Sequence, residues 1–199
     1  MNATEVVVAA IRRRQRGSDS RPVIVALDGY SGAGKSTLAA SIADALGAGT
    51  VHTDDFYRDM PAVERLELSP AQGVDRYFDW ERLRAEALLP IARGERARYR
   101  CFDWVGGSGV MSAVTVERHD VAVIEGVYSA RPEFDDLVAL KVLVETAAEE
   151  RKRRREVRAR TVSRDDPAGW DARWDAAEKL YFAAIRPRTA FDVIVSGNG

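Results

Sequence analysis

Gly29-Tyr-Ser-Gly-Ala-Gly-Lys-Ser36 decides how this chain is read. It fits G-x-x-x-x-G-K-[ST] without a mismatch. By average residue usage the pattern arises by accident in about one per cent of chains this long. Its surroundings sharpen it. Val23–Leu27 before it is a continuous apolar run, as in a buried parallel strand. Lys35–Leu46 after it carries Leu38, Ile42 and Leu46 at helical spacing and is closed by Gly47. Strand, glycine loop, helix is the arrangement that binds phosphate. Glycines let successive N–H groups face the anion, and the helix adds its positive end. Gly29, Ser31, Gly32, Ala33, Gly34, Lys35, Ser36 and Thr37 are therefore expected to hold the phosphates of ATP. Lys35 would reach the β- and γ-phosphates and the Ser36 hydroxyl a Mg²⁺ ion.

The same alternation runs outward from this loop. Thr4–Arg16 reads as an amphipathic helix with Thr4 as its N-cap, and Thr50–Thr53 as a short strand before Asp54 and Asp55. Asp79–Arg93 reads as a helix. Arg96–Phe102 and Ser112–Glu117 read as a hairpin around a Gly106–Gly109 turn. Val121–Ile124 and Leu137–Val144 are strands, an Arg-rich helix runs to about Arg160, Trp170–Ile185 is a helix and Phe191–Val195 a last strand. Strands alternating with helices predict an α/β fold: a three-layer α/β/α P-loop architecture with a mainly parallel sheet, plus a β-hairpin and an Arg-rich helical lid. We expect one domain over residues 1–199, with the lid at about 146–165 and the acceptor-site helix and hairpin at about 57–117. The ligand belongs at the carboxyl ends of the strands, where Asp28, Asp54 and Glu125 fall.

Bulk composition narrows the class. The 46% hydrophobic and 31% charged content of the 199 residues suits a globular chain, and a net charge of −1 argues against a protein built mainly to coat nucleic acid. A single cysteine, Cys101, excludes an internal disulfide and suits a reducing compartment. No apolar run approaches a membrane span, and Glu5 stands where a signal peptide needs positive charge. A cytoplasmic location and no membrane partner are expected.

A phosphate loop alone serves switches, motors and kinases alike. A kinase also needs a carboxylate to take the acceptor's proton and acidic help with the metal. Asp54 and Glu125, each after a different strand, supply them. Asp55 is expected to point elsewhere, as a turn or cap residue. Arg151–Arg160 places seven basic residues in ten. It reads as a lid over the triphosphate, with Arg154, Arg155 and Arg158 singled out, or as a nucleic-acid patch, or as a solvated face paired with Glu149, Glu150 and Glu156. Trp170, Trp174 and Phe182 are expected to pack in the core or at the base of that lid rather than to form a stacking platform.

At these residues the sequence resembles the uridine kinase family of P-loop kinases, whose relatives include nicotinamide riboside kinase, pantothenate kinase and phosphoribulokinase. The resemblance rests on the phosphate loop, Asp54-Asp-Phe-Tyr57, Phe78-Asp79-Trp80, Glu125-Gly-Val-Tyr128 and the Arg-rich helix. It implies Asp54 as general base and Mg²⁺ partner, Ser36 and Glu125 on the metal, and Tyr57, Asp79 and Phe102 at the acceptor. Asp79 also reads as an N-cap for the helix that follows it. There is one departure. Where the family's hairpin carries a Tyr and then a His that reads the pyrimidine, this chain has Phe102 and a glycine in Phe102-Asp-Trp-Val-Gly-Gly107. A site without those polar groups has no evident means of selecting uracil or cytosine. The expected activity is transfer of phosphate from ATP to a primary hydroxyl of a small molecule, a nucleoside first. A non-nucleoside metabolite or a regulatory P-loop NTPase linked to nucleic acid are the alternatives.

Overall fold

The computed structural model describes residues 1–17, 22–102, 112–161 and 169–198. Its centre is a parallel sheet of β1 (Val23–Asp28), β2 (Gly49–His52), β5 (Val121–Glu125), β6 (Leu140–Glu145) and β7 (Val193–Ser196), in the order β2-β5-β1-β6-β7. A separate antiparallel ladder joins β3 (Ala97–Arg100) to β4 (Ala113–Val116), with Ala97 opposite Val116. The hairpin arms are thus as expected, but the Gly106–Gly109 turn, with Gly107, lies outside the described residues.

β1 explains the layering. All six of its residues are buried, and the pleat sends neighbours to opposite faces. Val23, Val25 and Leu27 join Val121, Val123, Val142 and Val144 in one apolar cluster. There α1 (Ala3–Arg16) and α2 (Lys35–Leu46) cover the sheet through Val7, Ile11, Leu38 and Ile42. Ile24 and Ala26 face the opposite cluster with Ile124, Phe56, Phe78, Leu83 and Tyr181. That face is covered by α4 (Pro70–Arg76), by the helical run α5 (Trp80–Arg82), Leu83–Leu88 and α6 (Leu89–Ala92), and by α8 (Trp170–Leu180). α3 (Ala62–Glu67) precedes α4, and α7 (Ala148–Thr161) follows β6.

Several boundaries differ from the sequence reading, each for a local reason. Helix α1 starts one residue early. Asn2, not Thr4, is its cap: the Asn2 side chain accepts from Glu5 N at 2.9 Å and Glu5 answers on Asn2 N at 3.0 Å. β2 ends at His52, because Thr53–Phe56 turns into a 3₁₀ helix. β6 starts at Leu140 rather than Leu137, since Leu137 N and Val138 N still close a turn on Phe134 O. β7 runs Val193–Ser196 rather than Phe191–Val195 because Arg188–Ala190 is a 3₁₀ turn on which Phe191 closes. The helix expected over Asp79–Arg93 is interrupted by a π-helical stretch at Leu83–Leu88, and Tyr181–Ile185 continues α8 in the same way.

Candidate active site

Five parallel strands deliver their last residues to one rim of the sheet, and the phosphate loop sits at its centre. The loop leaves β1 at Asp28, whose carboxylate is fully buried. Asp28 Oδ1 accepts from Gly29 N at 2.7 Å and Tyr128 N at 2.9 Å. Its Oδ2 accepts from Ala130 N at 3.0 Å and Tyr181 Oη at 2.8 Å. Burial pushes this carboxyl up, while those bonds and Lys35 oppose it. Three of these four partners are backbone N–H groups, which can only donate. Asp28 thereby ties the loop's first residue to the turn after β5 and to the end of α8.

Within the loop, Gly34 caps α2 at φ 98°, and a Cβ there would stand 3.0 Å from Gly197 O. Only glycine combines that conformation with that approach. Lys35, almost fully buried, donates from Nζ to Gly29 O at 2.8 Å and Tyr30 O at 3.1 Å. One residue on, Ser36 Oγ donates to Glu125 Oε1 at 3.0 Å.

The two predicted acids do converge on this loop. Asp54 opens the 3₁₀ turn after β2, and Glu125 is the last residue of β5 rather than the residue after it. Both line one cleft of about 1290 Å³ with Ser31–Thr37. Burial alone would push the Glu125 carboxyl up. The His52 hydrogen bond at 2.6 Å, Lys35 and Ser36 outweigh it and hold the carboxyl below the usual range. His52 in turn is raised, chiefly by its bond to Glu125. Asp55 turns away as expected: Tyr99 Oη donates to its Oδ2 at 3.1 Å.

Gly126 lies tight against the turn that carries Asp54. It has φ 141°, and an added Cβ would overlap Thr53 Oγ1 beside Asp54. Gly126→Ala should therefore displace the Thr53–Asp54 backbone and cost about 2–4 kcal/mol from strain and overpacking. Urea unfolding of the variant checks this; an unchanged midpoint would show the contact to be slack.

Asp54, Ser36 and Glu125 form an all-oxygen set that fits a small, hard cation. Among the described residues no three His, Cys, Asp or Glu side chains group to hold a metal by themselves.

Helix α7 lies against the loop. Arg154 Nη1 donates to Gly197 O at 3.1 Å and to Gly32 O at 3.4 Å, and its Nε to Glu150 at 2.8 Å. Arg155 pairs with Asp175 of α8 at 2.6 Å. Arg154, Arg155 and Arg158 all line the cleft, with Lys152, which the sequence reading had not separated from its neighbours.

On the acceptor side the expectations divide. Tyr57 lines the cleft next to Phe78, held there by the bridge between those two residues. Phe102 packs edge-on to Tyr57 at 5.3 Å, one ring behind it. Asp79 is not among the lining residues. Its Oδ1 accepts from Arg82 N at 3.1 Å as the cap of α5, and it pairs with Arg58 at 3.6 Å. Trp170 and Trp174 pack on Tyr77 of the buried core and also line the cleft. Sequence reading passed over His52, Thr146 and Glu178, all of which touch the loop or its acids. For Glu178 a signal existed: Trp170, Trp174 and Glu178 repeat at four-residue spacing, one face of a helix.

With this geometry in hand, comparison with known proteins agrees. A family model for the phosphoribulokinase/uridine kinase family matches residues 24–188. A solved structure described as a candidate fructose transport system kinase from Silicibacter sp. TM1040 superposes with a TM-score of 0.71 at 25% identity, covering 98% of this chain and 99% of that one. A possible uridine kinase from Bacillus stearothermophilus gives 0.68 at 17% identity, over 94% of this chain and 99% of that one, a likeness of fold alone. No curated protein matches the sequence. Among the described residues no helix is long and apolar enough to cross a membrane.

Proposed function

The chain belongs to the phosphoribulokinase/uridine kinase family, and from that premise we propose that it transfers the γ-phosphate of ATP to a primary hydroxyl of a small acceptor. The observation that carries this is the meeting, in one cleft, of the phosphate loop with carboxylates from two other strands and an aromatic wall at Tyr57 and Phe78. Lys35 and the loop N–H groups bind the β- and γ-phosphates. Ser36, Asp54 and Glu125 would hold Mg²⁺, which when bound offsets the charge of the phosphates. Asp54 accepts the acceptor's hydroxyl proton as its oxygen bonds to the γ-phosphorus. The bond from that phosphorus to the β,γ-bridging oxygen breaks, and ADP leaves. Arg155 and Arg158 of α7, acting as a lid, supply further positive charge to the transferred group.

A nucleoside is the first acceptor class, on the strength of the family. A free sugar is the second. Phe102 brings no polar group where the family's Tyr stands, and the 25%-identical relative is described as acting in fructose transport. Uridine, cytidine, nicotinamide riboside, pantothenate and D-fructose, each assayed for ADP release against a Lys35→Ala blank, test the proposal. One of them should raise ADP release well above the blank. ATP-binding enzyme that releases no more ADP with any of them than with water alone would count against it.

A further inference from the structure

Beyond the catalytic acids, one buried carboxylate touches the phosphate loop from the far end of the chain. Glu178 has no exposed surface. Its Oε1 accepts from Ser31 N at 2.8 Å, from Ser31 Oγ at 2.6 Å and from Trp174 Nε1 at 2.9 Å. The triangle closes because Trp174 Nε1 also donates to Ser31 Oγ at 2.8 Å. Three donors thus converge on one oxygen. Among the described residues its twin, Oε2, is buried without a hydrogen-bond partner.

Burying such a polar group is costly, since among the described residues one of its two oxygens has no hydrogen bond to replace its lost hydration. The other oxygen is fully committed to Ser31 and Trp174. An accepting oxygen kept buried at this point, against the loop, suggests a role for the contact beyond filling the core.

The rest of the helix supplies one. Tyr181, one turn on, donates to Asp28 at 2.8 Å, and the ring of Phe182 lies 4.5 Å from that of Tyr30. Consecutive turns of this run therefore grip Asp28, Tyr30 and Ser31, which carry the loop from its root to its third residue. Glu178 is the only one of these contacts that holds loop backbone and loop side chain together.

We propose that Glu178 is a positioning residue for phosphoryl transfer: by holding the N–H and hydroxyl of Ser31, with Trp174 as its orienting donor, it sets the phosphate loop in the shape that receives a nucleoside triphosphate. This rests on the reading of the loop as the ATP site, but not on any acceptor. The hydrogen-bonding oxygen matters for this role, and the charge does not.

The test measures the affinity of the full chain for the β,γ-imido analogue of ATP with Mg²⁺ by titration calorimetry, alongside thermal melting. Glu178→Gln keeps the accepting oxygen and should bind within about threefold of wild type. Glu178→Leu removes it at similar volume and should bind at least about tenfold more weakly; because three donors lose this acceptor, its melting temperature should fall as well. Rescue by Gln but not Leu is the signature of positioning. A folded Leu variant that binds like wild type overturns the proposal, as does a Gln variant weakened as much as Leu. Should Leu fail to fold, Glu178→Met takes its place, since it too lacks the accepting oxygen: a Met variant that binds like wild type would overturn the role, as would a Gln variant weakened about tenfold. Wild-type protein that fails to bind the analogue would sink the ATP-site reading as well, whereas unaffected variants of a binding wild type sink this inference alone.

Discussion

Asp54→Asn should leave binding of Mg·ATP within a few fold of wild type and lower acceptor phosphorylation by about two to four orders of magnitude. The substitution is nearly isosteric, and the 3₁₀ turn carrying Asp54 closes through backbone, with Tyr57 N donating to Asp54 O at 3.3 Å. What changes is chemistry. An amide can still orient the acceptor oxygen but cannot take its proton, and it is a poorer partner for a cation. Equilibrium binding of ATP and the maximal rate of acceptor phosphorylation separate these effects. A variant with undiminished transfer would remove Asp54 from the reaction.

Lys35→Ala carries the other large effect, and it should appear in binding as well as in rate. The ammonium stands at the loop mouth, bonded to Gly29 O and Tyr30 O, in a nearly closed environment. In such a setting a positive charge interacts with phosphate far more strongly than it would in water. Its loss is expected to weaken ATP binding by about two orders of magnitude and to cut transfer by about three. Lys35→Arg should not rescue it, because a planar fork cannot reproduce a point charge seated between two carbonyls. Binding titration and initial rates measure both; near-normal affinity in Lys35→Ala would contradict this placement of the phosphates.

Much of this was legible from local chemistry. The loop announces itself because strand, glycines, lysine and helix are contiguous, Glu125 because it follows an apolar run, and Asp54 because it follows a short segment read as a strand. The hairpin arms were legible from alternation. What escaped has long-range or geometric causes. Glu178 meets Ser31 from 147 residues away, and a glutamate on a polar helix reads as surface until its neighbours are known. The π-helical stretches at Leu83–Leu88 and Tyr181–Ile185 leave the apolar spacing almost unchanged and so leave no trace in it. Strand ends shifted where a turn kept hold of the chain, as Phe134 does for Leu137 and Val138. Asp79 shows a different limit. One carboxylate suits both a helix cap and a sugar, and in the structure it is bonded as a cap.

The γ-phosphate is proposed to go to an acceptor hydroxyl. Single-turnover reaction with ATP labelled in the γ-phosphate, followed by separation of the products, tests this most directly. The label is predicted to appear on the acceptor, in step with ADP, and to vanish from it in Asp54→Asn. Label recovered only as inorganic phosphate, whichever acceptor of the panel is present, would contradict the claim.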